Sequence, residues 1–214
     1  MKRPYHIFLG VVLLLTAAVA HVPVTRGQQN ISFRLTDHEN AIYRLSQSHD
    51  VVMNLAGTTP VRNWCMTAHG LSGEAIMLVH EDRLADITSL RFSLPVHNLK
   101  GDGDGMDRDC YTALKAEKYP TIDFELLSTA IESYANNSYL VRARGNLSVA
   151  GVTREVTLFM HGILDRNSTI RFTGSEELKM SDYHVERPSL LLGLIHAGDA
   201  MTLTYSLIFT KAQQ

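Results

Sequence analysis

The chain has 214 residues, 45% of them hydrophobic and 20% charged, so it can bury a core and fold as one domain or as two small ones. Its 20 basic and 22 acidic side chains give a formal net charge of −2, which argues against a nucleic-acid-binding protein. Two cysteines exclude a disulfide-dense scaffold and most structural zinc sites.

The N-terminus has the pattern of an export signal. Two basic residues precede an apolar run over residues 7–20, which ends on the small residues that cleavage requires. The run is shorter than the roughly 20 residues of a spanning helix, so we expect no stable membrane span once the signal is removed. We therefore expect residues 1–20 to be a signal peptide, with cleavage possible as late as Gly27. The mature protein, with its folded domain over residues 28–214, is then periplasmic or secreted.

Most of the remaining chain alternates apolar and polar residues with period two, which is typical of antiparallel strands with one buried and one solvated face. The first long run places Thr88 on the same face as Leu90, Phe92 and Leu94. Because a one-residue slip would expose a whole face, the alternation also predicts which side chains point inward. Twelve residues that the alternation places on the inner face are called the inward-facing set: Leu90, Phe92, Leu94, Phe124, Val141, Leu147, Val156, Leu158, Met160, Phe172, Leu203 and Tyr205.

Three turn signals separate the later strands. Asn136-Asn137-Ser138 predicts one turn, and Asp165-Arg166-Asn167-Ser168 closes another. Ala150-Gly151 joins two strands so tightly that only a hairpin fits.

One segment breaks the strand pattern. Cys110, Ala113 and Leu114 have helical spacing, so we predict a helix over residues 107–118, which Pro120 ends. The whole pattern predicts an all-β fold, a meander of about eight antiparallel strands with one inserted helix and without parallel βαβ units. A sheet of that size tends to close into a barrel, because closure removes exposed edges. Such a barrel either fills its interior with side chains or holds one small ligand.

Four stretches of the chain carry motifs: residues 55–59 followed by Trp64, residues 97–100 with 106–107, residues 113–124, and residues 144–156. In their order and spacing they resemble motifs of the YceI-like family, bacterial periplasmic proteins with a lipocalin-like barrel. The third stretch, which resembles the family's "ALxxxxYPxIxF" signature, is the most specific.

Two departures from the family pattern concern the rim of the barrel. The family often has Asp-Phe-Gly after the penultimate strand, where this chain has Asp182-Tyr183-His184. A bulkier residue therefore stands in a turn that can use the positive φ of glycine. The family's opening "His-Ser-x-x-x-Phe" strand is also missing, and Ser48-His49 is its nearest counterpart.

The resemblance implies that residues 28–214 form a barrel that binds a long isoprenoid or similar lipid inside, without cofactor or catalytic residues. A polyprenyl tail offers only CH₂ and CH₃ groups, so recognition must come from a dry, apolar interior. On this interpretation the inward-facing set is the candidate ligand-binding surface. Two alternatives stay open: a filled barrel that acts as an interaction module of the cell envelope, and an uncharacterised enzyme on the same barrel. The sequence also leaves open whether the protein is a homodimer.

The remaining motifs carry little chemistry. Residues 101–107, Gly-Asp-Gly-Asp-Gly-Met-Asp, fail the EF-hand pattern at its fifth and sixth positions, so we interpret them as an acidic loop that caps the helix start. The ten histidines are scattered, and His161 falls on a polar strand face, so we predict no metal site. Cys65 and Cys110 either form a disulfide after export or are buried thiols.

Overall fold

The computed structural model describes residues 40–165, 167–190 and 195–213. The predicted signal peptide and both cleavage points lie outside these residues. Strands dominate the described part of the chain, and two short 3₁₀ segments, residues 96–98 and 180–183, link some of them. The strands are β1 (Asn40–Leu45), β2 (Val52–Thr58), β3 (Asn63–Ala68), β4 (Ser72–His80), β5 (Arg83–Pro95), β6 (Leu99–Lys100), β7 (Thr121–Ser133), β8 (Ser138–Val149), β9 (Val152–Leu164), β10 (Thr169–Lys179), β11 (Ser189–Leu190), β12 (Ile195–His196) and β13 (Ala200–Lys211), and the helix is α1 (Asp104–Ala113).

Eight strands close into an antiparallel barrel, as the alternation predicts. Their order around the ring is β1-β4-β5-β7-β8-β9-β10-β13, and β13 pairs back onto β1. The last strand is shared: its C-terminal part pairs with β1, where Leu45 lies opposite Phe209, whereas its N-terminal part pairs with β2, where Gly57 lies opposite Met201. At that second end the wall continues through β3 and β6 towards α1. The two ends of the barrel are therefore built differently.

Two of the three predicted turns are described in full and have the backbone conformation of tight hairpins, whereas Arg166 of the third lies outside the described residues. Asn136 and Asn137 both have positive φ, 60° and 52°, and so do Ala150 and Gly151, 51° and 83°. Paired positive φ values match the right-handed twist of the flanking strands. A Cβ at Gly151 would collide with the Tyr119 ring, so the tight hairpin packs directly on the segment after the helix.

The helix begins and ends earlier than predicted. It covers Asp104–Ala113, and Gly103 stands at its N-cap without any side-chain capping bond, so the expected acidic cap is wrong. Its end is set by Lys115, which has a φ of 53° and donates its N–H to the Thr112 carbonyl. The next N–H, of Ala116, bonds to the Tyr111 carbonyl, which completes a Schellman motif. A left-handed lysine therefore ends the helix, well before Pro120.

The predicted inward position of Thr88 is also wrong. On β4, Ile76 lies opposite Ser89 and Met77 lies opposite Ile87, so Thr88 is the extra residue of a β-bulge. Its side chain is exposed and its hydroxyl donates to the Ile76 carbonyl at 3.3 Å. The bulge shifts by one residue the set of side chains that point into the barrel, which explains why Ile87 rather than Thr88 is buried.

The barrel end closed by β1 is filled with side chains. Eight large side chains there or next to it are at most 2% exposed: Tyr43, Met77, Ile87, Tyr139, Val141, Ile170, Phe172 and Phe209. Phe172 and Phe209 meet edge to face with ring centroids 6.1 Å apart. The Tyr139 hydroxyl accepts the Leu84 backbone N–H at 2.9 Å, which satisfies a buried donor beside the irregular part of β5. We call this region the filled end.

Candidate functional site

A cavity of about 460 Å³ occupies the opposite end of the barrel interior. Its walls come from β2, β3, β5, β6, β7, β8, β10 and β13, and α1 lies across it through Met106, Cys110 and Ala113, followed by Leu114 just after the helix. The lining is mostly aliphatic, aromatic or sulfur-containing. This volume is within the range of roughly 300–1,000 Å³ that is usual for small-molecule sites. The cavity is therefore large enough for a ligand, and its wall suits an apolar one.

Four of the twelve inward-facing residues line this cavity: Phe92, Leu94, Leu147 and Leu203. Phe92 stacks on Phe124 with ring centroids 5.3 Å apart, so Phe124 supports the wall from behind. The other members of the set pack in the interior away from the cavity wall: Leu90, Phe124, Val141, Val156, Leu158, Met160, Phe172 and Tyr205.

The inward-facing set predicted from the sequence lacks the part of the wall that comes from β2, β3 and α1. Met53 and Leu55 on β2, and Trp64 and Met66 on β3, line the cavity with the same alternation that was used for the later strands. That alternation is present in the sequence, and two of the four residues, Leu55 and Trp64, belong to the first stretch that resembles the YceI-like family. These four side chains reach the cavity because β2 pairs with β13, and that pairing joins residues far apart in the chain.

Polar residues that line the cavity and also reach solvent mark its mouth: Thr59 and Arg62 in the turn between β2 and β3, Asp102 just before α1, and Asp109 on α1. The Thr59 hydroxyl donates to the Arg62 carbonyl at 2.9 Å, which fixes the turn. A site with an apolar interior and a polar mouth suits an amphiphile, whose chain is buried and whose head stays near water.

A polar cluster anchors α1 to β6. Asp107 is 8% exposed, and one of its carboxylate oxygens accepts the Gly101 N–H at 2.7 Å. Its other oxygen lies 3.1 Å from the Lys100 ammonium, which also donates to the Tyr111 hydroxyl at 2.7 Å. The Gly101 hydrogen bond, followed by the Lys100 contact, holds the pKa of Asp107 below the usual value of an aspartate. The ionised carboxylate therefore helps to hold the helix that covers the cavity.

We expect this anchor to weaken in acid. A carboxyl whose folded pKa lies below its unfolded value of about 3.9 stabilises the fold fully above that value, and the contribution is lost as the pH falls through the folded pKa. The urea midpoint of the wild type should therefore drop on acidification from about pH 5 to about pH 2.5 by more than that of Asp107→Asn. Equal drops in the two proteins would show that Asp107 contributes no pH-dependent stability.

Both cysteines are free in the structure. Cys65 is exposed on β3, so the alternative of a buried thiol is wrong for this residue, whereas Cys110 lies partly buried in the cavity wall. Burial, with a smaller effect of Asp107, raises the pKa of Cys110 to about 12. The Cys110 thiol is therefore neutral at physiological pH and behaves as a small apolar side chain.

Among the described residues, no three His, Cys, Asp or Glu side chains converge in a way that could hold a metal ion. His161 is exposed on the outer face of β9, as predicted from its place in the alternation. His184, at the departure from the family pattern, has a φ of 51°. It adopts the left-handed conformation for which glycine is the usual choice. In the part of the chain that the structure describes, no helix is long and apolar enough to cross a bilayer.

A closed eight-stranded antiparallel barrel with an apolar cavity at one end has the architecture of lipocalin-like proteins. The family model of the YceI-like domain matches residues 43–209, which is well over half of the chain. The chain therefore belongs to the YceI-like family, and the resemblance found in the sequence is confirmed. No curated protein matches it.

Solved structures share the fold. A polyisoprenoid-binding domain from Saccharophagus degradans, implicated in plant cell wall breakdown, superposes with a TM-score of 0.63 at 10% identity, over 81% of this chain and 100% of the other. BcnA from Burkholderia cenocepacia gives 0.56 at 17% identity, over 74% and 95%. A YceI protein from Campylobacter jejuni gives 0.50 at 17% identity, over 66% and 82%. At these identities the likeness establishes a common barrel.

Proposed function

We propose that this protein is an exported lipid carrier that holds a polyisoprenoid, or an amphiphile of similar shape, in the cavity beside α1. The observation that carries the proposal is the cavity itself, with its apolar wall and its polar mouth. Burial of apolar surface contributes about 25 cal/mol per Å², so a long hydrocarbon chain can bind tightly without any specific polar contact. Part of that gain is lost to the ordering of the chain.

Two further observations support an isoprenoid as the ligand. The chain belongs to the YceI-like family, and one of the proteins that share its barrel is a polyisoprenoid-binding domain. Export is supported by the N-terminal sequence, where basic residues precede an apolar run that ends on small residues. A periplasmic or secreted location suits a carrier, because an apolar ligand needs a protein to cross an aqueous compartment.

The filled end is the observation that favours the second candidate, a barrel without a ligand that acts as an interaction module. There the interior is occupied by the protein's own side chains, such as Ile87 and Phe172. The carrier is the better interpretation, because the same filling stops short of the other end. At that end Leu94 and Leu203 face an open cavity rather than the side chains of other residues.

Trp64 gives a direct test, because it is the only tryptophan of the chain and lies in the cavity wall. We expect geranylgeraniol to change the fluorescence of Trp64 in a saturable manner. Geraniol, its half-length analogue, should bind much more weakly, because each CH₂ group that stays unburied forgoes about 0.8 kcal/mol. The variant His161→Ala, on the outer face, should give the same titration as the wild type.

Two outcomes would count against the carrier. The first is that no saturable change occurs at any concentration below the solubility limit of geranylgeraniol. The second is that geraniol and geranylgeraniol bind with equal affinity, because binding driven by the burial of the chain must depend on chain length.

A further inference from the structure

Methionine is concentrated around the cavity. Seven of the eight methionines of the chain lie in the described residues, and five of these seven line the cavity. The five, which we call the cavity methionines, are Met53, Met66, Met106, Met180 and Met201. They come from β2, β3, α1, the 3₁₀ segment after β10, and β13, so only the fold brings them together. The other two, Met77 and Met160, are packed in the barrel interior with 0% and 2% of their surface exposed.

A thioether differs from the aliphatic side chains around it in one chemical respect: two-electron oxidants convert it to a sulfoxide. The reaction does not need a deprotonated sulfur, so it proceeds at neutral pH. Cys110, in the same wall, is a poorer target, because a thiol reacts as the thiolate and burial raises its pKa to about 12. The sulfur chemistry of the cavity is therefore that of its methionines.

The cavity methionines differ in access. Met106 and Met201 are partly exposed, whereas Met53, Met66 and Met180 are only 6%, 3% and 5% exposed. Met106 lies on α1, and its sulfur is so close to Gly101 that a Cβ added to that glycine would collide with it. Oxidant that enters the cavity should therefore reach Met106 and Met201 first.

We propose that the cavity methionines are an oxidation site that controls the occupancy of the cavity. Hydrogen peroxide transfers one oxygen atom to the thioether sulfur: an S–O bond forms, the O–O bond breaks, and water leaves. The sulfur is oxidised by two electrons and the peroxide is reduced. The sulfoxide is a strong acceptor with a polar S–O bond, and a bound hydrocarbon chain gives it no donor, so the oxidised cavity holds an apolar ligand poorly.

Occupancy and oxidation are then mutually exclusive. A ligand chain that fills the cavity keeps peroxide from Met106 and Met201, while oxidation of these residues disfavours the ligand. The effect on binding rests on the proposed function, whereas the preferential oxidation of the cavity methionines does not. Methionine sulfoxide is reduced by methionine sulfoxide reductases, so the change is reversible.

The first measurement is peptide mass spectrometry of the intact folded protein after limited exposure to hydrogen peroxide. We expect sulfoxide at Met106 and Met201 at least tenfold faster than at Met77 and Met160, and slower oxidation of the first pair when geranylgeraniol is present. Equal rates at all four positions, or no sulfoxide at Met106 and Met201, would overturn the proposal.

The second measurement is calorimetric titration with geranylgeraniol before and after the same treatment. The oxidised wild type should bind at least tenfold more weakly than the untreated wild type, and treatment with methionine sulfoxide reductases should restore the affinity. In the double variant Met106→Leu, Met201→Leu, the ratio of treated to untreated affinity should be much closer to one. The matched variant Met160→Leu, away from the cavity, should keep the full sensitivity of the wild type.

Unchanged affinity in a protein whose cavity methionines are oxidised would overturn the control of occupancy. If the untreated wild type does not bind geranylgeraniol at all, the carrier function fails and the control of occupancy fails with it. In that case the peptide pattern still decides whether the cavity methionines are the preferred targets of oxidation, so the two failures are distinguishable.

Discussion

Arginine in place of Leu94 is expected to weaken geranylgeraniol binding by about a hundredfold or more, with the β-rich circular dichroism spectrum retained. Leu94 is 3% exposed and lines the cavity. A guanidinium there must either stay hydrated, which fills the cavity with water, or lie unpaired against the ligand chain. Either arrangement costs several kcal/mol in the complex. The cavity gives the longer side chain room in the unliganded protein, so folding should survive.

The controls separate loss of binding from loss of structure. His161→Ala changes an exposed residue on the outer face of β9 and should leave binding unchanged. Leu158→Arg is a contrast, because Leu158 is 6% exposed and does not line the cavity. Its arginine has no space, so partial unfolding is expected. Retained binding in Leu94→Arg together with lost binding in His161→Ala would place the binding surface on the polar outside and would refute the carrier.

The largest expected effect on stability comes from Phe172→Ala. Phe172 is 1% exposed, packs against Phe209 at the filled end, and lies so close to Gly162 that a Cβ at that position would be 3.0 Å from its ring. Truncation removes the buried ring and leaves a cavity, so the free energy of unfolding should fall by about 3–5 kcal/mol. Urea unfolding followed by circular dichroism measures this change.

The same variant is expected to retain ligand binding. Phe172 does not line the cavity, so the folded variant should bind geranylgeraniol as the wild type does, at a urea-free condition where it is fully folded. A large loss of affinity at preserved fold would show that the two ends of the barrel are coupled. A stability change below about 1 kcal/mol would show that the filled end contributes little to the fold.

The sequence predicted most of the barrel, because each strand carries its own facing pattern. The inward side chains of β8, of β10 and of β9 from Leu158 onward follow the period of two. The hairpin at Ala150-Gly151 was predictable for a similar reason, since its conformation depends on two adjacent residues. Local signals of this kind need no knowledge of distant contacts.

The predictions for Thr88 and for the end of the helix were wrong for two different reasons. One position depends on a contact between residues far apart in the chain, and the other has a residue that rarely adopts the backbone conformation found there. Thr88 has a regular strand pattern around it, and only the pairing of β5 with β4 shows that it is a bulge. The helix ends at a left-handed Lys115, although glycine is the residue that usually signals such an end.

The candidate site was predicted in part for the same reason. Alternation shows that Leu94 and Phe172 both face inward, but it does not show that the first lines a cavity while the second is tightly packed. That difference arises because β2 and β3, rather than β1, form the wall at one end. Trp64 and the cavity methionines belong to that end, so their role became visible only in the assembled barrel.

A crystal structure of the protein with geranylgeraniol would show whether the cavity holds a prenyl chain. We expect continuous density for the prenyl chain between α1 and β13, in contact with Leu94, Leu203 and Trp64, with the hydroxyl near Arg62 at the mouth. Density for the chain on the outer surface, or a cavity that remains without the probe at saturating concentration, would contradict the carrier function.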